Sequence, residues 1–360
     1  EAFKQQAFEQ QSECTTIESA MKKADGQASE RTVEKVVEIA PEKEEIKARR
    51  PDECRGPTKV HFAMFLLDVD AINAASQSFI ANIFVKMSWK DKRLPNLQGT
   101  TRQIHLEDAW HPQVIIANRQ GMLSLSLPEV LQVDPDGTIM YRQRYTGNLS
   151  QPLELSNFPM DRHNSSIQVV SAAHKADELE FVPVVSKDGP AIKGGIIASV
   201  LSLPDWKVLG YEAMASHYHP NKEVNSAGFV FRFEAKRYVE YYFWQIVLPF
   251  SIVVMMSWTA FWIQRGERGV RIGVATSSIL TLITFRFVLA SLLPRLPYMT
   301  RMDYFTVGCT LFVFIALICV VMTEYLSTIN RDIMAKRLDV LLRGLFPATF
   351  LLLLGWFIVG

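Results

Sequence analysis

Between Arg271 and Leu293 an otherwise apolar run is interrupted by Thr276, Ser277, Ser278, Thr281, Thr284 and Arg286, a pattern that suits a wet surface better than lipid. Steps of four and three residues place Gly273, Ser277, Leu280, Thr284, Phe287 and Ser291 on one face of a helix. Small or hydroxylated side chains alternate there with bulky apolar ones. Repeated around an axis, rings of hydroxyls can replace part of an ion's hydration shell, and rings of apolar groups can close a passage by expelling water. A helix buried in a bundle, its hydroxyls bonded back to its own carbonyls, fits the same spacing. Elsewhere there is no phosphate-binding Gly loop, no His-Glu-x-x-His and no Gly-x-Ser-x-Gly elbow, so no catalytic residue, metal ligand or cofactor is expected.

The elements that would hold such a helix differ along the 360 residues. The 38 basic and 37 acidic side chains nearly cancel, which argues against a nucleic-acid partner. A mean hydropathy of +0.09 hides a soluble half and a membrane half, because the long apolar runs follow Tyr241. Residues 1–56 are rich in Glu, Lys and Gln, and read as a mobile or partly helical extension. They carry Cys14 and Cys54, a candidate disulfide if exported, while Cys309 and Cys319 sit in an apolar run as small buried side chains. Residues 57–237 show strand alternation, as in Phe79 to Trp89, punctuated by turns such as Asp134-Pro135-Asp136-Gly137. Many short strands at this spacing predict a β-sandwich of immunoglobulin-like architecture.

Residues 238–360 read as a membrane domain with helices at about 239–263, 270–292, 303–326 and 338–359, the stretches from Tyr241, Tyr304 and Gly344 being uncharged and nearly long enough to span a bilayer. Pro249 is tolerable inside the first span. Arg265, Arg268 and Arg271 in one loop, and Arg331, Lys336, Arg337 and Arg343 in another, place both loops in the cytoplasm. The β-domain and the C-terminus then lie together outside, or in the periplasm, of a multi-pass inner-membrane protein. A membrane-anchored sensor without a pore fits this organisation too.

Several motifs coincide in order. Trp89-Lys-Asp91-Lys-Arg93-Leu94, Trp110-His-Pro112 with Asn118, and Phe158-Pro159-Met160-Asp161 resemble the extracellular domain of Cys-loop receptors. Ser257-Trp258, Phe261-Trp262, the run Arg271 to Thr284, and Leu293-Pro294-Arg-Leu-Pro297-Tyr298-Met-Thr300 are similar to the first helix, pore helix and following loop of the bacterial members. The resemblance covers residues 58 to 360. No cysteines flank the Phe158 turn, and the link from about Ser327 to Asp339 is short; both look bacterial.

The resemblance implies a homopentameric ligand-gated ion channel, each subunit assembling with four identical ones in a lipid bilayer. Its pore would be lined by Gly273, Ser277, Leu280, Thr284 and Phe287, with Leu280 and Phe287 as gates. Glu267 and Arg271 mark the selectivity region; cations are favoured as permeant inorganic ions, with anions the alternative. The resemblance also implies coupling through Phe158, Pro159, Asp161, Arg237 and Pro297, with Asp161 and Arg237 paired. An unidentified small-molecule or ionic agonist would bind between subunits. His217, Tyr218 and His219 on a hairpin and His174 nearby are candidate contacts, with Phe84 and Tyr141 approaching from the adjacent subunit.

Overall fold

The computed structural model describes Lys47 and residues 49–53, 55–94, 99–185, 194–221, 224–264, 267–292 and 296–359. Cys14, Cys54 and Arg295 lie outside the described residues, as does nearly all of the expected extension. The strands in chain order are β1 (Thr58–Asn73), β2 (Ser78–Lys90), β3 (Arg102–His105), β4 (Val114–Ile116), β5 (Ser124–Leu125), β6 (Val130–Val133), β7 (Thr138–Ser150), β8 (Arg162–Lys175), β9 (Leu179–Pro183), β10 (Gly195–Ile197), β11 (Trp206–Tyr218) and β12 (Ser226–Arg237).

Two sheets form a sandwich. The larger runs β10-β1-β2-β7-β6-β3, with β9 on β1 and β5 on β7; the smaller runs β11-β12-β8-β4. Strand parity decides which side chains meet. On β2, Ile83, Val85, Met87 and Trp89 are buried while Asn82, Phe84, Lys86 and Ser88 are half-exposed, as a period of two requires. The core between the sheets is aromatic: Phe62 meets Phe229 and Phe181 with ring centroids 4.4 and 5.3 Å apart, and Trp89 meets Trp110 edge to face at 5.8 Å. A Cβ on Gly195 would stand 2.7 Å from the Phe231 ring, so glycine lets β10 approach the opposite sheet.

Four helices follow, each long and apolar enough to cross a membrane: α1 (Glu240–Thr259), α2 (Arg268–Leu289 as a span, helical to Leu292), α3 (Arg301–Thr328) and α4 (Asp332–Val359). In α1 a wide π-type turn at Phe243–Val247 precedes Pro249, whose missing N–H cannot serve a carbonyl one turn back. The helix ends at Thr259 rather than near 263: the Phe261 and Trp262 N–H groups reach only three residues back, to Trp258 O and Thr259 O, and the leftover Ala260 and Phe261 carbonyls accept from Arg271 and Arg343. α4 starts earlier than the expected 338. Its link to α3 is therefore only Ile329 to Arg331, since Asp332 suits a helix N-terminus and extends the helix past the apolar run.

Candidate functional site

The buried residues of α2 are Arg271, Ala275, Ser278, Leu282 and Leu289, packed against α1 and α3. At about 100° per residue these cluster on one side, and the row Gly273, Ser277, Leu280, Thr284, Phe287 is centred about 160–170° away. The row faces away from the subunit's own helices: Leu280 is 65% exposed and Phe287 75%. The hydroxyls are bonded back as well. Thr284 Oγ1 donates to Leu280 O at 3.0 Å, and Thr276, Ser278 and Thr281 donate to the carbonyls four residues earlier. Four hydroxyl protons of this helix are thus given to the backbone, Thr284 being the one on the stripe, while Leu280 and Phe287 stay outward. The side chain of Ser291 lies outside the described residues.

Glu267 is exposed just ahead of α2 and accepts at its carbonyl from the Val270 and Arg271 N–H groups, starting the helix. Arg271, by contrast, is fully buried and points away from the stripe. Arg286 is exposed and about 140° off the stripe.

The junction between the sandwich and the helices is built on the turn linking β7 to β8. Leu153, Leu155 and Phe158 are buried in the same apolar cluster as Phe250, Met302 and Phe305 of the helices. The turn also caps α3: the Arg301 and Met302 N–H groups, orphaned at a helix start, donate to Ser156 O and Phe158 O at 2.9 and 3.2 Å. From the α2–α3 link, Tyr298 Oη accepts from the Leu155 N–H at 3.0 Å, while Pro297 is exposed beside it. Pro159 is buried within the turn.

Arg237, at the end of β12, donates through Nε and Nη2 to the two oxygens of Asp161 at 2.8 and 3.0 Å, and through Nη1 to Tyr242 Oη at 3.2 Å. Its guanidinium lies 4.0 Å over the Trp206 ring and 5.0 Å from that of Phe158. His163 approaches the same carboxylate at 2.6 Å. Asp161 and Arg237 are both buried. Burial alone would push the Asp161 carboxyl up; the hydrogen bonds from His163 and Arg237 and the guanidinium charge outweigh it and hold it at about 2.

The reading of the sequence missed His163, Trp206 and Tyr242, which complete this knot, and Gln77, whose carbonyl and side chain receive the Gln151 and Leu153 N–H groups from the β1–β2 turn. A usable signal existed for His163, which sits two residues from Asp161 on the same strand face. None existed for Gln77.

Of the candidate ligand contacts, His217 and His219 stand on the tip of the β11–β12 hairpin with rings 6.1 Å apart. Ser226 pairs with Tyr218 on one side and Lys175 on the other, which brings Tyr218 and His174 to neighbouring strand ends. His174 is half-buried, and its Nε2 accepts from Trp110 Nε1 at 3.1 Å. Burial pushes its imidazole below the ordinary value, opposed by Glu178 and reinforced by Arg50 and His111. Phe84 is half-exposed beside Phe65 and opposite Arg144.

Tyr141 departs from expectation. It pairs with the inward-facing Met87 and is 5% exposed within the sandwich core, so Phe84 and Tyr141 occupy opposite faces of one sheet and cannot share a site.

Among the described residues no group of three or more His, Cys, Asp and Glu side chains could hold a metal ion. Residues 45–239 match the family model of the neurotransmitter-gated ion-channel ligand binding domain, and residues 246–352 that of the neurotransmitter-gated ion-channel transmembrane region. Both matches fall on the two halves described above, in the same order. The chain is a multi-pass membrane protein and belongs to the neurotransmitter-gated ion-channel family, within the Cys-loop superfamily.

Proposed function

We propose that five copies of this chain surround an axis to form a channel of the bacterial kind, opened by a ligand on the extracellular or periplasmic domain, with α2 lining the pore. The observation that carries the reading is the split of α2: one face is buried against α1 and α3, and the opposite face presents Gly273, Ser277, Leu280, Thr284 and Phe287 outward. An exposed Leu280 and Phe287 in lipid would need no alternating hydroxyls. In a water-filled pore the hydroxyl rings assist ions, while the two apolar rings close the path by dewetting. The absence of cysteines around Phe158 and the short α3–α4 link support the bacterial assignment and an inner-membrane location.

Cations are the proposed permeant ions. Thr284 donates its proton to Leu280 O, so toward the axis its oxygen offers lone pairs, which solvate cations. Arg271 adds no positive charge to the stripe, because it is buried between Glu324 and Asp339. The alternative, anion conduction, draws on the lack of any carboxylate along the stripe from Gly269 to Phe287.

Ligand occupancy near His174, His217, Tyr218 and His219, with Phe84 supplied by the next subunit, would be relayed by the Phe158 turn, the Asp161–Arg237 pair and the Pro297–Tyr298 segment to α2. The test is current through planar bilayers containing purified protein under a salt gradient, with pH, divalent cations and small amines screened. Unitary currents reversing near the cation equilibrium potential from a particle of five-subunit mass are expected. A monomer, or a pentamer silent under every condition, would overturn the proposal.

A further inference from the structure

The inner end of α2 carries a charge that the stripe does not see. Arg271 is fully buried, and each guanidinium nitrogen has a partner: Nε donates to Ala260 O at 3.1 Å, Nη1 to Glu324 Oε1, and Nη2 to Asp339 Oδ1 at 3.0 Å. These partners come from the end of α1, from α3 and from α4. Arg268, largely exposed, stands 3.5 Å from the other oxygen of Glu324, which is buried and has no hydrogen-bond partner among the described residues. Glu324 and Asp339 are themselves 5% and 3% exposed. Removing either carboxylate would leave Arg271 a buried charge short of a partner, which is strongly unfavourable.

The geometry has a second consequence. α4 packs mainly on α3 and α1, and the Asp339–Arg271 bond ties it to the pore helix as well. Arg343 of α4 reinforces the anchor, donating to Phe261 O at 3.0 Å with its guanidinium 4.8 Å over Trp262. A planar guanidinium with three directed partners also fixes rotation about the α2 axis, which an ammonium would not.

We propose that Glu324 and Asp339 are positioning residues: they screen Arg271 from the ion path and hold the inner end of α2 in register, so that α4 sets charge selectivity and opening from the rim of the bundle. The inference rests on the stripe of α2 lining the pore.

The test records the intact channel in planar bilayers under a salt gradient. Asp339→Asn leaves one uncompensated positive charge beside the inner mouth; the reversal potential is expected to move toward the anion equilibrium potential, with altered open probability. Asp339→Glu restores both. The paired variant Arg271→Gln with Asp339→Asn removes both charges and returns the reversal potential to that of the wild type, which a general packing defect at Asp339 would not do. Should Asp339→Asn fail to assemble, the paired variant decides: a wild-type reversal potential supports the screen, and a shift toward anions overturns it. A conducting wild type with an Asp339→Asn variant indistinguishable from it sinks the screen alone, whereas a wild type without current sinks the pore reading beneath it.

Discussion

Arg237→Ala removes a guanidinium whose two bonds to Asp161, bond to Tyr242 and seat over Trp206 tie the last strand to the first helix. The depression of the Asp161 carboxyl from 3.8 to about 2 corresponds to about 2 kcal/mol favouring its charged form. Stripping one member from a buried, hydrogen-bonded pair costs roughly 3–5 kcal/mol, since His163 alone then faces the carboxylate. If the pair is intact in one gating state and broken in the other, an energy of that order shifts the closed–open balance by roughly 200- to 5000-fold. Pentamers are expected to form, because the apolar cluster of Leu155, Phe158, Met302 and Phe305 is untouched. Current should be lost, with light scattering confirming the assembly. Arg237→Lys keeps the charge but not the two-pronged geometry, and is expected to recover only part of the current. The pH dependence supplies a check on sign. A carboxyl lowered in the folded state stabilises it fully above its ordinary value of 3.8 and ceases to do so as pH falls toward 2. The melting temperature of Arg237→Ala should therefore vary less than that of the wild type between about pH 4 and 2. Wild-type gating in Arg237→Ala pentamers would refute the coupling role.

Three further outcomes follow from the same placements. Leu280→Ala widens and wets one of the two apolar rings, so opening at lower stimulus or without any is expected in single-channel records; an unchanged open probability would remove Leu280 as a gate. Phe84→Ala should alter the agonist response and leave the fold intact, whereas Tyr141→Ala, in the core, should cost roughly 3–5 kcal/mol of stability by thermal unfolding; the reverse pattern would contradict the strand parity. His174 has a lowered value in the folded state, so its contribution is present above the unfolded 6.5 and shrinks as pH falls below it. His174→Gln should flatten the loss of melting temperature over that range, and an identical profile would remove His174 from the acid response.

The parts of this architecture that depend on local pattern could be read from the residues. The membrane half follows from uncharged runs, and the α2 stripe from steps of four and three residues, both properties of a single element. What needed a partner was harder. Tyr141 reads as an outward ring until its register against Met87 is known, and a shift of one residue in that pairing reverses the face. The ion pair of Asp161 with Arg237 was expected only by resemblance, and the surrounding His163, Trp206 and Tyr242 come from three separate elements. Glu324 and Asp339 drew no reading from the sequence. They lie 53 and 68 residues from Arg271, and nothing local joins them. The early start of α4 reflects helix formers at a membrane edge, which an apolar-run criterion passes over.

Thiol modification along α2 tests the central claim most directly. Single cysteines are introduced from Gly273 to Phe287 in a background where the four native cysteines are replaced, and a charged, water-soluble thiol reagent is applied during channel activity. Block at Gly273, Ser277, Leu280, Thr284 and Phe287, with protection at Ala275, Ser278 and Leu282, is the predicted pattern. Equal reaction on both faces, or reaction confined to the buried one, would contradict an α2-lined pore.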